Sequence, residues 1–197
     1  PLNFNEAEAL VRGTCGQYGW ADAKVAHRET YAIDANWKLA IENYVECYHC
    51  GPAHPEYSEL HVLEQPLEEI DALNDAMKLR TLALGVDVTE CSPWETSAQG
   101  REAIRSYRYA LYDGIKTGSK DGMPVAPLMG KFTGYDGGVT SLHFGGMTYM
   151  AVYPDHGVIY RFVPTGVNAC EMELIWLVNK TAVEGVDYEL DRLTWLW

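Results

Sequence analysis

Two histidines, His49 and His54, stand five residues apart, with Gly51-Pro52 between them and Glu46 three residues before the first. On an unbroken helix, residues i and i+5 point roughly 140° apart and cannot meet at one atom. Proline lacks an amide proton and drives the residue before it out of the helical region. The chain is therefore expected to bend after His49. That residue would sit in the last turn of a helix over residues 36–50, and His54 would swing back towards it from the following turn. Glu46, at i−3, shares a helical face with His49. Two imidazoles and a carboxylate on one side of a first-row metal are the donor set of a mononuclear non-haem iron with open positions. Glu46 has two roles open to it: a metal ligand, or the acceptor for the other ring nitrogen of His49.

Residues 36–61 hold three histidines, two cysteines and four glutamates, and other readings compete. A lone histidine is more often structural than a ligand, but here the pair, its spacing and the intervening Gly-Pro act together. A zinc knuckle would recruit Cys47 and Cys50 with His54 and His61. Zinc ribbons and fingers place a second ligand pair about a dozen or more residues on, and the next cysteine, Cys91, stands alone. Nothing orients a base for a cysteine nucleophile. Cys47 and Cys50 are expected to be small buried apolar residues flanking His49.

Asn36-Trp37-Lys38-Leu39, Glu42-Asn43-Tyr44 and Glu46-Cys47-Tyr48-His49-x4-His54-Pro55 together resemble the catalytic-domain signature of the Rieske non-haem iron ring-hydroxylating oxygenases, α subunit. The resemblance implies that His49 and His54 bind a mononuclear Fe(II). It implies that Glu46 passes electrons from the Rieske [2Fe–2S] cluster of a neighbouring subunit, and that Asn43 is a polar residue close to the iron. In that family a third ligand, an aspartate, lies on a long C-terminal helix, which is expected beyond Trp197. The cluster itself takes two cysteines and two histidines. Cys-x2-His, one half of the family's pattern, does not occur in this sequence. Residues 1–197 are thus expected to be a single mononuclear-iron catalytic domain, incomplete, with the Rieske domain outside this chain. The start at Pro1 and the stop inside the apolar run Leu193–Trp197 fit the same expectation.

The resemblance further implies O2-dependent hydroxylation, with NAD(P)H electrons arriving through a separate reductase or ferredoxin, in a homotrimer. The string from Glu42 to Cys50 looks most like the branch that oxidises quaternary amines such as betaines and carnitine, with N-demethylation as the outcome. A cation is held well over aromatic faces, and Tyr149, Tyr153, Tyr160 and Trp176 lie on predicted strands, although core packing alone would account for each. Two alternatives stand beside this: an aromatic-ring hydroxylating dioxygenase, and a non-catalytic small-molecule binding module of the same fold, which would have no use for His49 and His54.

The net charge of −13 and pI near 4.8 argue against nucleic acid and anionic membrane surfaces as partners. No apolar run approaches the ~18–20 residues of a membrane span, and no basic leader is visible. Five scattered cysteines suit reduced thiols in a cytoplasm.

Periodicity predicts helices over residues 5–12, closed by Gly13, over 36–50 and over 99–115. Weak strand signals fall at 24–27 and 30–33, and 61–84 reads as irregular and acidic. The glycine-rich stretch 117–147 lacks any phosphate-loop pattern and reads as turns. Strands are predicted at 147–153, 158–163 and 171–178, with a tight turn at Asp155-His156-Gly157 and a connection at 164–169. Asp187 and Asp191 read as first-turn residues of a final helix. Consecutive antiparallel strands beside helices indicate an α+β class. The resemblance specifies it as a curved antiparallel sheet with helices around it, of the helix-grip, START-like kind.

Overall fold

The computed structural model describes residues 4–63, 65–87, 95–96 and 103–197. Helix α1 (Phe4–Cys15) leads through two short 3-10 turns into strand β1 (Ala23–Ile33). Helices α2 (Trp37–Val45), α3 (Cys50–Ala53), α4 (Pro55–Ser58) and α5 (Leu67–Ala83) follow. The strands are then β2 (Glu95–Thr96), β3 (Ala103–Ala110), β4 (Gly138–Phe144), β5 (Thr148–Val152), β6 (His156–Gly166) and β7 (Ala169–Asn179), before α6 (Leu190–Thr194). The strands form one curved, wholly antiparallel sheet in the order β1-β7-β6-β5-β4-β3-β2. Six of them run as a meander, and β1 returns to close on β7.

One face of this sheet buries the aromatic rows Tyr149, Tyr160, Phe162 and Trp176, with Val158, Leu174 and Val178 between them. Ala40, Ile41 and Tyr44 of α2 pack on that face, so α2 is held across the sheet just before the two histidines. Helix α5 is tied to β3: Asn74 Oδ1 accepts from the Ala110 amide at 2.9 Å, and Thr81 Oγ1 donates to the buried Asp136 at 2.7 Å. Asp136 also pairs with Arg108. Gly138 permits this close approach, since a Cβ there would lie 2.3 Å from Met77 Sδ.

The α+β class and the last three strands agree with the sequence reading, while several boundaries do not. Residues 99–115 are not a helix: 103–110 are strand β3, 111–115 are a bridge and turn, and 99–102 lie outside the described residues. Ile104, Ser106 and Ala110 are buried at alternate positions, a period of two that the apolar count at helical spacing obscured. Residues 61–84 hold the long helix α5 instead of irregular chain. Its Leu, Glu, Ala, Met, Lys and Arg content favours helix without an amphipathic stripe, and Pro66 and Gly85 mark its ends. Within the glycine-rich stretch, β4 was missed. The two weak strand signals are one strand, β1, with an irregularity between Val25 and His27. Helix α1 runs on through Gly13 to Cys15. His156 and Gly157 belong to β6, so the turn is Tyr153–His156, closed by Tyr153 N–H donating to His156 O at 2.8 Å. Asp191 lies in the first turn of α6, whereas Asp187 precedes it and accepts from the Val183 amide at 2.8 Å.

Candidate metal centre

Asn36 caps α2, its Oδ1 accepting from the Lys38 amide at 3.0 Å. The helix stops at Val45, earlier than the predicted 50. Glu46 is extended (φ −89°, ψ 138°), and Cys47 to Cys50 form a turn closed by Cys50 N–H to Cys47 O at 3.0 Å. His49 is therefore the residue leading into α3, and not the last turn of α2. Gly51-Pro52 lies inside the first turn of α3, where an absent amide proton costs little. The second break falls at His54 (φ −133°, ψ 62°), because Pro55 excludes the helical region for its predecessor and starts α4. The expected bend between the histidines exists, but Pro55 and the extended Glu46 make it.

These breaks bring the two rings together. The His49 and His54 ring centroids are 5.2 Å apart with planes at 76°. Two imidazoles each bound through one nitrogen at ~2.1 Å, near a right angle, place their centroids roughly 5 Å apart. The extended backbone at Glu46 returns its carboxylate to His49: Nδ1–H donates to Oε1 at 2.6 Å. Asn43 Nδ2 donates to the same oxygen at 3.3 Å. Of the two roles left open for Glu46, the geometry is that of the ring-nitrogen acceptor. Its other oxygen, Oε2, is buried and without a hydrogen-bond partner among the described residues. His49 keeps Nε2 for a metal. Among the described residues no group of three or more His, Cys, Asp or Glu side chains is placed to hold one, so the described donor set is the histidine pair. Cys50 is buried as expected, but Cys47 is exposed, because the turn faces it away from the core.

Tyr44, next to Asn43 and two residues before Glu46, packs against Tyr149 (4.5 Å) and Tyr160 (4.9 Å). Tyr149, Tyr153, Tyr160 and Trp176 are all buried, and burial raises the phenol of Tyr44 well above its ordinary value. The helix that leads into the site is thus anchored on neutral aromatic rings of the sheet.

Two buried polar clusters escaped the sequence reading. His61 is fully buried; Nδ1–H donates to Tyr57 O at 2.9 Å and Nε2 accepts from Tyr153 O–H at 2.7 Å. Asp155 accepts from His156 Nδ1 at 2.9 Å, from Thr117 Oγ1 at 2.6 Å and from the Val125 amide at 3.0 Å. Burial by itself would raise this carboxyl; His156 and the hydrogen bonds outweigh it and hold it below its ordinary value. His61, weighed in the sequence only as a zinc-knuckle ligand, gave no sign of Tyr153, ninety-two residues away, nor His156 of Thr117, thirty-nine residues away.

A curved antiparallel sheet with a paired-histidine, carboxylate-backed bend defines a class of mononuclear metal oxygenase domain. The chain belongs to the family described as ring hydroxylating alpha subunit (catalytic domain), whose match spans residues 20–197. It is 34% identical over 189 residues to the glycine betaine monooxygenase oxygenase subunit of Pseudomonas aeruginosa, covering 91% of this chain and 42% of that protein. The same-named subunit of Chromohalobacter salexigens is 32% identical over 205 residues, covering 100% and 44%. The carnitine monooxygenase oxygenase subunit of Escherichia coli is 58% identical over 38 residues, 19% of this chain. The chain thus spans less than half the length of these relatives. The fold matches the quaternary ammonium Rieske monooxygenase CntA in an inhibitor complex, with a TM-score of 0.51 at 16% identity, covering 90% of this chain and 36% of that one. No described helix is long and apolar enough to cross a membrane.

Proposed function

We propose that this chain is the mononuclear-iron catalytic domain of an oxygenase that hydroxylates a quaternary amine at a carbon next to nitrogen, releasing a demethylated amine. The observation that carries this is the histidine pair at metal-sharing separation with Glu46 on the Nδ1 of His49. His49 Nε2 and a ring nitrogen of His54 would hold Fe(II). When bound, the iron supplies O2 activation at an open coordination position. Glu46 fixes the His49 ring orientation and strengthens it as a donor. Asn43 in turn holds Glu46. Glu46 would stand between His49 and a neighbouring subunit, whose Rieske [2Fe–2S] cluster would deliver electrons drawn from NAD(P)H through a reductase or ferredoxin. That role calls for an assembly, read here as a homotrimer in the cytoplasm.

The tyrosines packed around Tyr44 support the substrate class. Quaternary ammonium cations have no proton to donate and are held by ring faces. Tyr44, Tyr149 and Tyr160 are neutral rings in mutual contact and would supply such faces. Relatives named for glycine betaine and carnitine support the same class. The test is iron analysis of the full-length subunit, with O2-dependent turnover of trimethylated amines set against that of aromatic hydrocarbons. Stoichiometric mononuclear iron and formaldehyde release from a trimethylated amine are expected. Turnover of aromatics alone would move the protein to ring hydroxylation, and an iron-free, inactive protein would leave a binding module.

A further inference from the structure

The pair Tyr153–His61 has the construction of a redox-active tyrosine. A phenol is hard to oxidise unless its proton leaves with the electron, and that requires a base in hydrogen-bond contact. Tyr153 O–H meets His61 Nε2 at 2.7 Å, and both residues are fully buried. The ring of His61 is fixed in the proton-accepting tautomer, because its Nδ1–H is committed to the Tyr57 carbonyl at 2.9 Å and the ring stacks on Tyr57 at 3.8 Å. Burial pushes the His61 imidazole down to about 4, so the base is neutral at physiological pH.

Of the other phenols, half-buried Tyr135 meets a carboxylate, Asp155, only at 3.4 Å, and four more are placed differently. Tyr57 and Tyr109 contact each other's hydroxyls at 3.4 Å, Tyr18 bonds Thr140 and Arg108, and Tyr149 donates to the Gly146 carbonyl at 3.1 Å. Carbonyl and hydroxyl acceptors do not take a proton. A row of aromatic rings also leads from the pair to Tyr44, on the helix that precedes the metal centre. Tyr44, beside Asn43 and Glu46, leads to Tyr160 at 4.9 Å, then to Trp197 at 5.9 Å, then to Tyr153 at 6.2 Å. At such separations an electron passes readily from ring to ring.

We propose that Tyr153 is a buried sink for oxidising equivalents, with His61 as its proton acceptor. A strong one-electron oxidant of the class formed by O2-activating metal sites takes one electron by way of Tyr44, Tyr160 and Trp197. The Tyr153 O–H bond breaks, the proton moves to His61 Nε2, and a neutral phenoxyl radical is left beside an imidazolium. One electron from the reducing chain returns the proton and restores the phenol. Such a sink spares His49, His54 and the tyrosines around Tyr44 when O2 is activated without substrate. The source of the oxidant rests on the iron-site reading above; the pair itself does not.

The experiment therefore bypasses iron. The full-length subunit is oxidised by a flash-generated ruthenium(III) polypyridyl with persulfate, and the radicals that outlive exposed tyrosyls are recorded by EPR. A long-lived neutral tyrosyl signal is expected in the wild type and in His49→Ala. It should fall at least about tenfold in Tyr153→Phe and stay unchanged in Tyr107→Phe. His61→Gln keeps a hydrogen-bond acceptor but not a base, and should shorten the radical lifetime while Tyr153 stays in place. A long-lived signal that survives Tyr153→Phe, or a lifetime unchanged in His61→Gln, overturns the proposal.

Discussion

His49 donates its Nδ1 proton to Glu46 across 2.6 Å, although Glu46 is the extended residue that ends α2 and His49 the one that leads into α3. The bond leaves Nε2 as the ring nitrogen with a lone pair to offer. It makes Glu46 the acceptor behind the His49 ring.

Glu46→Gln tests that division. Glutamine still presents one acceptor oxygen to the His49 Nδ1–H but loses the charge and the second carboxylate acceptor. Iron occupancy of the full-length subunit should be kept, while electron transfer from the Rieske cluster falls by about 10–100-fold, the usual range for loss of an outer partner. Stopped-flow reoxidation of the Rieske chromophore, read with iron content, checks both. Loss of iron in Glu46→Gln would instead make Glu46 a ligand.

His49→Ala and His54→Ala should each abolish mononuclear iron binding without unfolding the domain. Neither ring belongs to the hydrophobic core: the His49 side chain is 22% exposed, and His54 is exposed. Stability should change by only about 0.5 kcal/mol, checked by urea denaturation alongside metal analysis.

Asp136→Ala should be among the most damaging single changes. Asp136 is fully buried and accepts from Arg108, from Thr81 Oγ1 and from the Gly138 amide. Removing one partner of such a pair costs about 3–5 kcal/mol, because the remaining charge stays buried. Replacing Arg108 by Leu in the same chain should restore part of the loss, read as the coupling term of a double-mutant cycle.

Stability should also fall on mild acidification. Burial pushes His61 down to about 4, and burial followed by the nearby Arg105 guanidinium pushes His143 down to about 4. Both groups take up protons more readily when unfolded, near 6.5, than when folded. Between those values the unfolded chain binds more protons, so stability is full above about pH 6.5 and declines as pH falls towards 4. For the fully buried His61 alone the loss is roughly 3 kcal/mol. Thermal melts over that range should show the decline, and His61→Gln should flatten its share.

The sequence by itself determined the class of the fold and picked out the residues that meet at the candidate centre. His49, His54, Glu46 and Asn43 were all named from spacing and motif, and their proximity in the structure follows from local chain geometry over a dozen residues. The strands β5 to β7 were legible because their β-branched and aromatic residues run without interruption between turns. Tertiary structure decided what depends on distant partners. Residues 103–110 became a strand because β4, some thirty residues on, offers a complete ladder of hydrogen bonds, which outweighs a helical count of apolar positions. Leu67–Ala83 became α5 through intrinsic propensity joined to its anchors, Asn74 on the Ala110 amide and Thr81 on Asp136. The pairing of His61 with Tyr153, ninety-two residues apart in sequence, has no local signature at all. A hydrogen bond between side chains is written into a sequence only when the backbone between them is short enough to set their positions.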